Sequence, residues 1–127
     1  GSNLDDNLIF ISATFKGKKA IKTDIQKKIN NLIKRKKKDQ PSKIKTCGST
    51  FKNPENNKAW KLIKSSGCSG LSVGDAHISK KHCNFFVNKG NAKSRDLENL
   101  IHKVKSEVLN KTGIKLELEL EIIGEKI

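Results

Sequence analysis

The chain has 127 residues, a mass of 14.1 kDa and a formal net charge of +14. This length fits a single core, and no apolar run approaches the ~18 residues that a membrane span requires. Three widely spaced cysteines argue against a disulfide framework, and the chain has no CxxC or HxxxH pair that would indicate a metal site. No signal-peptide pattern begins the chain, so we expect a cytoplasmic protein that binds neither metal nor membrane.

The positive charge is concentrated in the first third of the chain. Thirteen Lys or Arg residues lie between Lys16 and Lys45 against two Asp, which accounts for +11 of the +14. Such a charge indicates an anionic partner, either nucleic acid, anionic lipid or a phosphorylated small molecule. A nucleic-acid-binding module is the main alternative, but it should place aromatic side chains among the lysines, and residues 17–48 contain none. A solvated helix face explains the lysines equally well.

One predicted element precedes this lysine-rich stretch, and a second lies within it. Residues 8–15 form a short apolar run, which predicts a buried strand. A helix follows, because apolar residues recur at helical spacing from Ile25 to Ile33 and form one stripe with the lysines largely off it. Pro41 ends this pattern, and residues 40–46 are interpreted as a connector.

Residues 48–54 (GSTFKNP) are the most informative stretch. Gly48 lets the backbone turn or approach a ligand, Ser49 offers a hydroxyl donor, and Asn53 offers an amide. Pro54 has no N–H for a strand ladder and therefore ends the extended segment. The stretch predicts a polar loop at a strand end, although by composition alone an ordinary surface turn is the commoner interpretation.

The second half of the chain alternates short helices and strands. A helix through residues 59–63 should end near Gly67, which can adopt a left-handed conformation. Strands are predicted at residues 70–73 and 84–88, and the polar residues 74–82 between them are interpreted as a loop.

A longer helix and a final strand complete the pattern. Apolar spacing predicts the helix from Ser94 to Asn110, and Gly113 lies where it should end. Residues 114–122 alternate apolar and charged side chains, which predicts a strand with one buried face and a row of carboxylates on the other. Together the elements predict an α+β fold in which helices pack on one face of a small mixed sheet.

Five stretches carry motifs in a fixed order and spacing: residues 47–54 (CGSTFKNP), 59–63 (AWKLI), 79–85 (SKKHCNF), 87–92 (VNKGNA) and 116–124 (LELELEIIG). In this arrangement they resemble the C-terminal part of the UDP-N-acetylenolpyruvoylglucosamine reductase family, MurB, in its shorter type II branch. Residues 11–15 (ISATF) and 36–41 (KKKDQP) resemble the last strand of that family's FAD-binding domain and its exit.

The resemblance implies an enzyme that reduces UDP-N-acetylglucosamine enolpyruvate to UDP-N-acetylmuramate, a cytoplasmic step of peptidoglycan synthesis, with FAD that NADPH reduces. It implies that residues 1–45 end the FAD-binding domain and that residues 46–127 form the substrate-binding domain. The family's FAD-binding loops would lie upstream, so the missing N-terminal domain would be the partner of this chain. The fragment alone is expected to bind no flavin and to be inactive.

The resemblance also implies two catalytic residues. Ser49 matches the general acid, and Glu119 on the last strand matches the residue that stabilises the enolate. A serine serves as an acid only toward a strongly basic carbanionic centre, and a carboxyl stabilises an enolate only as a neutral donor or beside a cation. Leu118 and Glu121 stand where the family often has proline and arginine, so the charges around Glu119 are expected to differ.

Four further residues match the substrate side of the family's site, namely Lys52, Asn53, Lys81 and His82. The basic residues 36–38 are expected to lie near the UDP phosphates, where cations stabilise a diphosphate. An exposed or hydrogen-bonded loop histidine remains an equally open interpretation of His82.

Overall fold

The computed structural model describes residue 5, residues 7–41 and residues 44–124. It contains three helices and four strands in the order α1 (Lys22–Asp39), β1 (Lys45–Ser49), α2 (Ala59–Ser65), β2 (Ser72–Val73), β3 (Ala76–Ile78), β4 (Phe85–Asn88) and α3 (Ser94–Thr112). The predicted α+β class is confirmed. Across the residues that the structure describes, no helix combines the length and the hydropathy needed to cross a membrane.

The four strands form one sheet in the order β1-β4-β3-β2, and its three pairings are all antiparallel. The prediction of a mixed sheet is therefore wrong. Only Gly74 and Asp75 connect β2 to β3, and so short a connection permits an antiparallel hairpin only. Parallel neighbours need a crossover of a dozen or more residues, and residues 79–84, which connect β3 to β4, are too few for one.

The strand β3 lies inside the stretch that the sequence predicts to be a polar loop. Ala76 and Ile78 are fully buried, and His77 between them is half-buried, so the period-two pattern of a strand is present over three residues. Three residues among charged and polar neighbours are too few for this alternation to be seen in the sequence.

The second layer is α3, which packs against β2 and β3 on one face of the sheet and also contacts α2. Its predicted apolar face is confirmed, because the buried residues of the helix are Leu100, Ile101, Val104 and Val108. Gly113 follows the helix with φ +71°, the left-handed conformation expected of a C-terminal cap.

The N-terminal elements do not join this core. Residues 8–21 form neither helix nor strand, so the predicted strand at residues 8–15 is wrong for this chain. A strand needs partners for its backbone N–H and C=O groups, and no other strand of the described residues pairs with this segment. The helix α1 forms as predicted, but none of its residues is buried, and Ile25 and Ile29 are 42% and 43% exposed.

Residues 114–122 carry the alternation that the sequence predicts but not a full strand. Leu116 is fully buried, and Leu118 and Leu120 pack against the core. The segment forms one isolated β-bridge, between Leu118 and Phe51. Alternate side chains of the segment are therefore buried although the segment is not a strand of the sheet. The leucines pack on the core, while only a few backbone groups hydrogen-bond to a neighbouring segment.

Candidate active site

The predicted loop at residues 48–54 begins as a bulge in β1. The register with β4 shifts between Thr46 and Ser49, and Gly48 within the bulge has φ +89°. The Gly48 N–H donates to Thr46 Oγ1 at 3.3 Å. After the bulge, Ser49 pairs with Phe85 of β4, and its side chain is half-buried. A bulge changes the direction in which the following side chains point, so this irregularity sets the orientation of Ser49.

The backbone immediately after Ser49 is held by the buried side chain of Asn84. The Phe51 N–H donates to Asn84 Oδ1 at 2.9 Å, and Asn84 Nδ2 donates back to the Phe51 carbonyl at 2.8 Å. The Thr50 N–H donates to the Asn84 carbonyl at 2.8 Å. The Phe51 ring is fully buried and meets Phe86 edge to face, with centroids 5.8 Å apart. Side chain and backbone therefore both fix this segment.

The second predicted catalytic residue, Glu119, lies on the segment that runs beside residues 50–52. Its N–H donates to the Thr50 carbonyl at 3.0 Å, and the Lys52 N–H donates to the Glu117 carbonyl at 2.9 Å. The carbonyl that Glu119 contacts thus belongs to the residue after Ser49, so the structure brings the two predicted residues onto adjoining segments. The Glu119 side chain is exposed.

Lys52 and Asn53 have local partners in the structure. Lys52 Nζ lies 3.8 Å from Glu117 Oε2, and because both side chains are exposed this pair contributes little stability. Asn53 Oδ1 accepts a hydrogen bond from the Ala59 N–H at 3.1 Å, at the start of α2. Asn53 therefore caps a helix end with the oxygen of its side chain, which leaves only the amide nitrogen for a ligand.

His82 covers part of the sheet face opposite α3. Phe86 points into the core with α3, so its neighbour Phe85 and the paired Ser49 point to the other face. The His82 ring meets Phe85 edge to face, with centroids 4.8 Å apart. Its Nδ1 accepts the Asn84 N–H at 3.3 Å, so the neutral ring carries its proton on Nε2. Burial lowers the pKa of His82 below its ordinary value of 6.5.

A cleft of about 460 Å³ lies next to His82, between the end of α1 and the loop before β4. Four lysines and one aspartate carry the charge at its wall, so the cleft is strongly basic. Lys81 bridges the two sides, because its Nζ donates to the Lys37 carbonyl. The Trp60 ring stands 6.2 Å from the His82 ring. The lining residues are Lys38, Asp39, Trp60, Lys64, Ser69, Lys80, Lys81, His82 and Cys83.

Two residues of this region, Asn84 and Trp60, are not recognisable as site residues from the sequence. Asn84 is 4% exposed and hydrogen-bonded on both sides of its amide, whereas the sequence indicates only that it begins a predicted strand. Trp60 was interpreted as part of a helix, and the structure places its ring at the basic cleft. Both residues act through contacts with residues distant in the sequence, so local pattern could not assign them.

The N-termini of α2 and α3 do not fit the phosphates of a flavin dinucleotide. Such a cofactor is usually held at its phosphates by free backbone N–H groups at a helix N-terminus. At α3 the Lys93 N–H donates to the Asp96 carboxylate at 2.9 Å, and an anionic side chain there opposes a phosphate. The first N–H of α2 is capped by Asn53. Nothing in the described ranges forms a group of three metal-ligating side chains either.

The fold and these contacts define a small α+β domain that carries a serine and a glutamate on adjoining segments beside a lysine-rich cleft. Residues 40–123 match the family model described as "UDP-N-acetylenolpyruvoylglucosamine reductase, C-terminal domain". The chain belongs to this family, which confirms the resemblance seen in the sequence.

Similar proteins agree with this assignment. A UDP-N-acetylenolpyruvoylglucosamine reductase of Pelagibacter ubique is 54% identical over 96% of this chain, and one of a Wolbachia strain from Drosophila simulans is 48% identical over 98%. The crystal structure of the Thermus caldophilus enzyme (MurB) superposes with a TM-score of 0.69, at 38% identity over 82% of this chain. The chain spans 41% and 42% of the two relatives and 36% of the crystallised chain.

Proposed function

We propose that this chain is the substrate-binding part of a cytoplasmic enzyme that reduces UDP-N-acetylglucosamine enolpyruvate to UDP-N-acetylmuramate for peptidoglycan synthesis. The observation that carries the proposal is the hydrogen bond from the Glu119 N–H to the Thr50 carbonyl. It joins the segment that bears a hydroxyl to the segment that bears a carboxylate. Proton transfer to a substrate carbanion needs this pair of groups near one reacting centre.

In this proposal Ser49 donates the proton. Addition of hydride to one carbon of the enolpyruvyl double bond leaves the other carbon with carbanionic character, and that carbon is basic enough to take a proton from a serine hydroxyl held in contact. The bulge at Gly48 and the hydrogen bonds of residues 50 and 51 hold the Ser49 backbone in one orientation. A fixed donor avoids the entropy loss of ordering it during the reaction.

Glu119 stabilises the negative charge that develops on the substrate carboxyl group. It does so either as a neutral donor or with the help of a cation, because a bare carboxylate would repel an enolate. Lys52, whose N–H donates to the Glu117 carbonyl and whose ammonium lies 3.8 Å from the Glu117 carboxylate, supplies that cation in this proposal. Glu121, in the position where the family often has arginine, provides no such cation.

The lysine-rich cleft takes the diphosphate of the nucleotide sugar. Lys38, Lys64, Lys80 and Lys81 supply ammonium groups on both sides of it, and charge-assisted hydrogen bonds to phosphate are among the strongest polar contacts in proteins. The Trp60 and His82 rings at the same wall suit the planar uracil base, because a base can stack on an aromatic ring without specific hydrogen-bond donors.

FAD and NADPH serve the intact enzyme in this proposal, and we assign them to the part of it outside this chain, which agrees with the occupied N-termini of α2 and α3. Hydride transfer, the chemistry that a flavin supplies, therefore belongs to the N-terminal part of the enzyme. Residues 1–45 would belong to that part, and residues 46–127 to the substrate domain. The exposed apolar stripe of α1 supports this division, because such a stripe normally packs on a core.

The test separates the two half-reactions in the full-length enzyme. Ser49→Ala should leave flavin reduction by NADPH unchanged and slow enolpyruvyl reduction at least ~100-fold, the order of effect of a general acid. Ser72→Ala, at an exposed serine of the far edge strand β2, is the matched control and should not slow either step. Equal loss of both half-reactions in Ser49→Ala would refute the acid role.

A further inference from the structure

We infer that Asn84 is a positioning residue that orients Ser49 and Glu119 for proton transfer. The inference rests on the proposed function, because it concerns how the proposed proton donor is held. Asn84 contacts no reacting group itself. It acts through the backbone of residues 50 and 51, which connects Ser49 to the segment of Glu119.

The Asn84 side chain replaces a missing stretch of sheet. The regular pairing of β1 with β4 ends at the Ser49–Phe85 pair, after the bulge. Beyond it, the side-chain amide of Asn84 both donates to and accepts from the Phe51 backbone, as a peptide group of a neighbouring strand would do. The strand direction is thereby continued past the bulge to Phe51, whose ring is anchored on Phe86.

One segment then fixes both proposed catalytic residues. Thr50 donates its N–H to the Asn84 carbonyl and accepts the Glu119 N–H at its own carbonyl. A shift of Thr50 therefore moves the backbone of Ser49 on one side and of Glu119 on the other. Because proton donor and substrate must meet at hydrogen-bond distance, a displacement of about 1 Å is enough to lower the rate ~100-fold.

Asn84 also contacts the loop that is proposed to bind substrate. The Asn84 N–H donates to His82 Nδ1, and His82 lines the basic cleft. Asn84 thus links the proton donor, the carboxylate segment and the cleft through three different groups: its side chain, its carbonyl and its N–H. No other amino acid supplies a donor and an acceptor at this side-chain length, since aspartate lacks the donor and glutamine is longer.

Asn88 provides a matched control on the same strand. It is also an asparagine whose side chain holds a loop, because its Oδ1 accepts the N–H groups of Gly90 and Ala92 and its Nδ2 donates to the Ala92 carbonyl. That loop leads to α3, and the hydrogen bonds of the Asn88 side chain reach only Gly90 and Ala92. A variant at Asn88 therefore shows the effect on the rate of altering an asparagine side chain that holds a loop, while the hydrogen bonds next to Ser49 are kept.

The first experiment measures amide hydrogen exchange in the chain. Asn84→Asp, which removes the donor to the Phe51 carbonyl and places a carboxylate against it, should speed exchange at Thr50, Phe51 and Glu119. Asn88→Asp, which keeps the acceptor of the Gly90 and Ala92 N–H groups, should leave exchange at Thr50, Phe51 and Glu119 unchanged. If Asn84→Asp does not fold, Asn84→Ala takes its place. Unchanged exchange at Thr50 and Glu119 in the folded variant overturns the inference.

The second experiment uses the full-length enzyme with NADPH. Asn84→Asp should slow enolpyruvyl reduction ~10- to 100-fold and leave flavin reduction unchanged, whereas Asn88→Asp should leave both rates unchanged. The double variant Ser49→Ala/Asn84→Asp should lose less than the product of the two single losses, because part of the effect of Asn84 is exerted through Ser49. Additive losses, or a wild-type rate for Asn84→Asp, refute the positioning role. Wild-type reduction in Ser49→Ala refutes the proposed function instead.

Discussion

The imidazole of His82 stands edge-on to the ring of Phe85, with centroids 4.8 Å apart and planes at 77°. The contact buries part of the imidazole, and burial disfavours its charged form. The Asp39 carboxylate acts in the opposite direction but is a smaller influence than burial. The net result is a pKa of His82 below 6.5, so the ring is neutral at physiological pH.

This neutral histidine predicts a pH dependence of stability. Because the pKa of His82 is lower in the folded chain than in the unfolded chain, its stabilising contribution is complete above about pH 6.5 and is lost as the pH falls through the folded value. Urea denaturation between pH 7.5 and pH 5 should show a falling free energy of unfolding, and His82→Gln should flatten that part of the curve. Asp39→Asn should lower the pKa of His82 further, which NMR titration of the ring measures. An unchanged slope in His82→Gln contradicts the prediction.

Removal of the Glu119 carboxyl should affect one half-reaction only. Glu119→Gln in the full-length enzyme should slow enolpyruvyl reduction ~100- to 1,000-fold, the usual effect of losing a group that stabilises developing charge. Glu117→Gln is the matched control, because Glu117 is two residues earlier, on the same exposed side of the segment, and contacts Lys52 only weakly. Similar rates for the two variants in stopped-flow measurements would exclude a special role for Glu119.

The basic cleft should bind uridine diphosphate in a salt-dependent manner. Trp60, the single tryptophan, lines the cleft and should report binding by its fluorescence. Lys81→Ala should weaken binding ~10- to 150-fold, since one charge-assisted hydrogen bond contributes about 1.5–3 kcal/mol. Lys103→Ala on the exposed side of α3 should have no effect. Tighter binding of random single-stranded DNA than of uridine diphosphate would favour the nucleic-acid alternative.

Asn53 should contribute to stability as well as to substrate binding. Asn53→Ala removes the acceptor of the Ala59 N–H and should lower the free energy of unfolding by about 1 kcal/mol, as loss of a helix cap does. Asn53→Asp keeps the acceptor and should retain most of that stability, but it removes the amide donor and should raise KM. A stable Asn53→Ala chain would show that the cap is dispensable, and an unchanged KM in Asn53→Asp would remove Asn53 from the substrate side.

The sequence predicted the parts of the fold that depend on local pattern. The apolar face of α3 and the cap at Gly113 follow from helical spacing and from the conformational freedom of glycine. The family motifs predicted the segment that holds Ser49 and its relation to the C-terminal segment. These features are decided by residues close together in the chain or by motifs read as a set.

Features decided by long-range pairing were missed or wrongly predicted. The apolar run at residues 8–15 has the composition of a strand. A strand forms only where a neighbouring strand pairs with its backbone N–H and C=O groups, and local composition does not show whether such a neighbour exists. β3 was missed because its three residues are too short for a period. The role of Asn84 was missed because its partner, Phe51, is 33 residues away.

The φ of +89° at Gly48 makes the bulge before Ser49 sensitive to chirality and not to size. A methyl group at this position would meet no atom within 4 Å, so the space is open, yet an L-amino acid rarely adopts such a backbone conformation. D-alanine, the mirror image, favours it. The proton donor is therefore oriented by the handedness that residue 48 permits, and a D-residue introduced by chemical synthesis would fit where every L-residue with a side chain is strained.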